Sequence, residues 1–124
     1  MEYIHREDGV KRANPLSQAV KSNGFIFVSG QTGRDPDTRE IVSESVAEQT
    51  HQIFKNVEPL LQSQGASLED IVRITVYLED LEDKSEFNDA YEKIVPEPFP
   101  ARAVMGGHEL SPGAKVEMEI TAEV

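Results

Sequence analysis

The chain has no cysteine, which excludes disulfides, thiolate nucleophiles and Cys-ligated zinc or iron–sulfur centres. No run approaches the ~20 apolar residues of a membrane span. The opening Met1-Glu2-Tyr3-Ile4-His5-Arg6 lacks the apolar core of a targeting segment, so a cytoplasmic protein is expected. Positive charge is scarce: 12 Lys plus Arg stand against 23 Asp plus Glu, a formal net charge of −11. The cations are scattered, so neither nucleic-acid phosphates nor an anionic membrane surface is an expected partner. Phosphate-cradling patterns such as G-x-G-x-x-G are missing. His5, His51 and His108 lie far apart without metal-ligand spacing, and His51 reads as a solvated helix residue. Neither a cofactor nor a metal is expected.

What is present reads as one ordinary globular domain. At 124 residues, 38% hydrophobic and 28% charged, the chain suits a single core rather than a disordered ensemble. Ser22-Asn23-Gly24 predicts a tight hairpin between 18–21 and 25–29, because Asn-Gly tolerates the positive φ angles of a type I′ turn. Residues 31–37 read as a loop. A helix is predicted from Ser45, with Glu48 completing a capping box and Gly65 as its stop; Pro59 interrupts the pattern and predicts a kink. The β-branched run Ile71–Leu78 is the clearest strand, with Val72, Ile74, Val76 and Leu78 on one face and Arg73 and Thr75 on the other. A second helix covers 84–95 and stops before Pro96. Strands at 101–105 and 115–124 follow, the last strictly alternating. The order β-β-α-β-α-β-β predicts an α+β sheet with two helices on one face. Arg73, Thr75, Arg102, Glu117 and Glu119 are expected on the other face.

Arg102 stands out chemically. It sits in a short strand between Ala101 and Ala103, directly after Pro98-Phe99-Pro100. An arginine there answers either a ligand carboxylate, which its planar fork binds bidentately, or a strand neighbour such as Glu117 or Glu119. Ser29-Gly30-Gln31 ends a strand where exposed backbone groups meet a ligand or merely turn. Asn88 on the second helix reads as a ligand contact or a solvated amide.

Together these residues carry a resemblance. Ser29-Gly30-Gln31 after an Asn-Gly hairpin, Asn88-Asp89-Ala90-Tyr91, Phe99-Pro100-Ala101-Arg102 and Val116-Glu117-Met118-Glu119 resemble the RidA/YjgF family, in order and spacing, from about Asn14-Pro15 to Val124. The Pro-Ala-Arg segment followed by the V-E-x-E strand is the specific part. The resemblance implies a single domain over 1–124 with a chorismate-mutase-like fold, built into a homotrimeric barrel with sites between subunits. It implies a 2-iminobutanoate/2-iminopropanoate deaminase-like hydrolase, which turns reactive 2-imino and enamine acids into 2-keto acids and ammonia without a cofactor. By the same resemblance Arg102 holds the substrate carboxylate, Glu117 orients or activates water, and Ser29, Gly30 and Asn88 line the pocket. Leu16 replaces the family's pocket-closing tyrosine, and Val104 replaces a common cysteine. Alternative expectations are a deaminase of a larger, 2-aminomuconate-like enamine, or a non-catalytic trimer that binds a small 2-keto or amino acid. A ribonuclease conflicts with the charge of −11.

Overall fold

In a computed structural model the described residues are 1–7 and 14–124. They form strands β1 (Glu2–Ile4), β2 (Ala19–Ser22), β3 (Phe25–Thr32), β4 (Ile71–Leu78), β5 (Ala101–Met105) and β6 (Val116–Glu123), and helices α1 (Val46–Gln62) and α2 (Lys84–Ile94). The strands make one sheet in the order β1-β2-β3-β6-β4-β5, antiparallel except where β4 runs beside β5. Both helices cover one face, and the core lies between: Ile26, Val28, Ile74, Val76, Met118 and Ile120 meet Ile53, Phe54, Val57, Leu61 and Phe87. This is the expected α+β architecture.

Local chemistry explains most of the elements. Asn23 and Gly24 take φ angles of 51° and 81°, the left-handed pair that the β2–β3 hairpin needs. Ser45 caps α1 by accepting the Glu48 N–H at 3.2 Å, but the reciprocal half of the capping box is absent. The Ser45 N–H instead reaches the Ser43 hydroxyl at 2.9 Å, which leaves Glu48 nothing to accept there. Helix α1 runs through Pro59 as one helix, and the Arg6 guanidinium donates to the Pro59 carbonyl. Gly65, at φ 82°, lets the Ala66 N–H fold back to the Leu61 carbonyl at 2.9 Å. Gln49 is fully buried yet satisfied, donating to the Ser43 and Gly113 carbonyls and accepting from the Lys115 N–H.

Three expectations need correction. Strand β1 is an addition: Glu2–Ile4 pairs with Lys21–Ala19, burying Ile4 beside Ala19. A bulge between Ile71 and Arg73 turns Ile71 into the core and leaves Val72 exposed, because an extra residue shifts the alternation by one. Most consequential is β5. Its neighbour is β4, not β6, and Arg102 pairs with Ile74, a fully buried residue on the helix-covered face. Lateral neighbours in a sheet project to the same side, so Arg102 stands on the helix face and not with Arg73, Glu117 and Glu119.

Candidate functional site

The residues singled out above fall into two groups on opposite faces. The first is built by the β4–α2–β5 crossover. Helix α2 buries Phe87 and Tyr91, one turn apart, and ends where Val95 turns extended before Pro96. The Pro98-Phe99-Pro100 run, entered through a cis Glu97–Pro98 bond, then delivers β5 to the sheet edge. Between them lies an open groove of about 420 Å³ lined by Asn88, Tyr91, Glu92, Phe99, Pro100 and Arg102. The Arg102 guanidinium lies 4.8 Å from the centroid of the Tyr91 ring and 5.8 Å from that of Phe87. It makes no hydrogen bond or ion pair with any described residue, so the strand-neighbour ion pair with Glu117 or Glu119 does not form. The Asn88 side-chain oxygen and the Tyr91 hydroxyl are buried without a hydrogen-bond partner. Burial pushes the Tyr91 phenol up, while the charge of Arg102 pulls the other way.

The second group lies on the open face, where β3 bulges. Pairing of β3 with β6 shifts between Val28 and Gln31, which takes Ser29 and Gly30 out of the regular ladder. The Ser29 hydroxyl donates to the Ser17 carbonyl at 2.6 Å, tying down the segment that carries Leu16, itself 40% exposed. Glu117 reaches across from β6 until its carboxylate lies against Gly30. A Cβ at position 30 would come within 2.7 Å of Glu117 Oε2, so glycine there leaves the space that the carboxylate occupies. Half-burial, and then the charge of Glu119, push the Glu117 carboxyl above its ordinary range. The Tyr77 hydroxyl donates to Glu119 Oε1 at 2.8 Å, and the Tyr77 and His108 rings meet edge to face with centroids 5.2 Å apart.

The structure thus joins Arg102 with Asn88, and Glu117 with Ser29 and Gly30, but not the two sets with each other. Tyr91 entered the sequence analysis only as the last residue of the Asn88–Tyr91 motif, without a role; in the structure it is the surface on which Arg102 rests. The signal was the pair Phe87 and Tyr91 at helical spacing, opposite a strand arginine. His5 and His51 are exposed, as a solvated role for His51 requires. Among the described residues no three His, Asp or Glu side chains gather as metal ligands, and no helix is long and apolar enough to cross a membrane.

Residues 7–124 match the family described as endoribonuclease L-PSP. A RutC family protein of Pyrococcus abyssi is 41% identical over 121 residues, covering 98% of this chain and 95% of that one. The chloroplastic Reactive Intermediate Deaminase A of Arabidopsis thaliana is 39% identical over 121 residues, covering 98% of this chain and 65% of that protein. The crystal structure of RidA from an Antarctic Psychrobacter superposes with a TM-score of 0.93 at 33% identity, over 100% of both chains.

Proposed function

This chain belongs to the RidA/YjgF family, and from that premise we propose that it hydrolyses reactive 2-imino and enamine acids, such as 2-iminopropanoate and 2-aminoacrylate, to 2-keto acids and ammonia. A deaminase role in general is supported by the kinship to a named reactive intermediate deaminase. The observation that carries the finer reading is Arg102, an exposed guanidinium in a groove, free of any described carboxylate and so ready for an anionic substrate.

One chain cannot bring Arg102 and Glu117 to the same molecule, since a sheet separates them. The proposed site is completed between copies of a homotrimer, the assembly that the family resemblance implies: Arg102 and Asn88 would come from one protomer, and Ser29, Gly30, Glu117 and Leu16 from the next. The open face supports such an assembly, because Phe27 is 49% and Tyr3 67% exposed there, an apolar area that a second copy would cover. Arg102 clamps the substrate carboxylate and thereby orients the adjacent C=N carbon. Glu117 takes a proton from water as the water oxygen bonds to that carbon and the C=N pair moves to the nitrogen, and it passes that proton on to the nitrogen. The C–N bond of the resulting carbinolamine then breaks as its hydroxyl proton passes by way of Glu117 to the nitrogen, releasing ammonia and leaving the 2-keto acid. An enamine reaches the same path through its imine tautomer. Leu16 in place of a tyrosine makes a larger enamine, such as a 2-aminomuconate-like one, the second reading.

The test is to generate 2-aminoacrylate enzymatically and follow pyruvate or ammonia release with and without the protein. Acceleration is expected; none at all defeats the reading. A pH profile tests the role of Glu117. A base must be ionised, so activity falls as pH drops through its raised pKa. Glu119→Gln removes a repelling charge, keeps an acceptor for Tyr77, and should move that acid limb to lower pH. An unmoved limb would assign it to another group.

A further inference from the structure

The chain has 23 Asp and Glu against 12 Lys and Arg, so carboxylates that an arginine could pair with are abundant. Arg102 pairs with none among the described residues, although Glu92 lines the same groove. It is held by aromatic faces instead: Tyr91 at 4.8 Å and, one helical turn earlier, Phe87 at 5.8 Å. The rings are themselves fixed, since Phe87 is fully buried and Tyr91 is 4% exposed. Tyr91 also packs on Phe54, Phe87 and Phe99, with centroids 6.1, 5.6 and 6.3 Å apart. A ring face attracts a guanidinium through its quadrupole while leaving the N–H edges unoccupied. A carboxylate would hold the same group more strongly but would fill the fork and cancel the charge.

We infer that Tyr91 and Phe87 are positioning residues for Arg102, an aromatic cradle that fixes the guanidinium without neutralising it, so that its fork is reserved for the carboxylate of a planar 2-imino or 2-keto acid. The inference rests on the hydrolase reading for its substrate class, but not for its geometry. It makes a sharp distinction: the ring of Tyr91 is required, and its hydroxyl is not.

The experiment compares the wild type with Tyr91→Phe, Tyr91→Leu and Asn88→Asp. Each is assayed for kcat and KM on 2-aminoacrylate, for pyruvate binding by calorimetry, and for its melting transition. Tyr91→Phe keeps the ring and should hold KM and the pyruvate Kd within about twofold. Tyr91→Leu should raise both by about tenfold, the scale of a partly desolvated cation–π contact, with a smaller change in kcat. Asn88→Asp places a carboxylate in the groove and should raise both by at least about tenfold, through neutralisation of Arg102. It decides the matter if Tyr91→Leu does not fold. Folded Tyr91→Leu with wild-type KM and Kd overturns the cradle, as does an equal loss in Tyr91→Phe. If Tyr91→Leu does not fold, wild-type values in Asn88→Asp overturn it. A wild type that binds pyruvate with these dependences yet does not accelerate hydrolysis upholds the cradle and defeats the hydrolase reading. A wild type that does neither defeats both.

Discussion

Arg102→Ala lowers kcat/KM for imine hydrolysis by at least about 100-fold while the protein keeps its fold and assembly. A bidentate pair of charge-assisted hydrogen bonds, each worth roughly 1.5–3 kcal/mol, accounts for that size of loss. The fold should survive because Arg102 is exposed, and its recorded contacts are with two rings that remain packed without it. Arg102→Lys keeps the charge but loses the planar fork and its stacking on Tyr91, so it should fall between, about tenfold below wild type. Initial rates give the first quantity, and light scattering with thermal melting gives the second. Undiminished turnover in Arg102→Ala would remove the residue from the site. Loss of assembly in the same variant would assign the arginine a structural ion pair across the interface.

The sequence was legible where structure is decided locally. The Asn23-Gly24 turn, the Ser45 cap, the β-branched run of β4 and the alternation of β6 each depend on neighbours within a few residues. It was opaque where a partner far along the chain decides. Glu2-Tyr3-Ile4 is too short and too polar to read as a strand, and forms one because β2 offers it an edge. The bulge at Val72 breaks an alternation that the residues themselves support. The face of Arg102 depends on which strand lies beside β5, and the α2 crossover fixes that as β4. The residues of the candidate site could be picked out by resemblance, but their division between two sheet faces could not. That division is set by which strands pair and in what register, and both depend on partners far along the chain.

Charge acts on two scales in the same site. The net −11 opposes the approach of an anion, and three copies together would carry roughly −33. Much of it sits on exposed positions such as Glu79, Asp80, Glu82 and Glu86, where solvent screens it within about a Debye length. At the groove the unpaired guanidinium of Arg102 dominates, because nothing described neutralises it. Glu117 is tuned separately: set half-buried beside Glu119, it holds its proton more readily than a solvated glutamate, and the proposed base role draws on that.

Mixing two inactive variants should restore activity. Arg102→Ala retains a sound Glu117, and Glu117→Gln retains a sound Arg102. If each site takes Arg102 from one protomer and Glu117 from the next around a closed ring, an intact site arises wherever a Glu117→Gln protomer supplies its arginine to an Arg102→Ala neighbour. With equal amounts unfolded together and reassembled at random, that pairing has a probability of ½ × ½, so about a quarter of wild-type activity should appear from two preparations that have almost none. The same proteins mixed without dissociation should remain inactive, which separates subunit exchange from simple addition. A site contained within one chain gives no recovery under either protocol, because every protomer then carries its own lesion. The opposite-face placement of Arg102 and Glu117 forbids that second arrangement unless the sheet itself rearranges, so the recovered quarter measures the assembly and the site in one experiment.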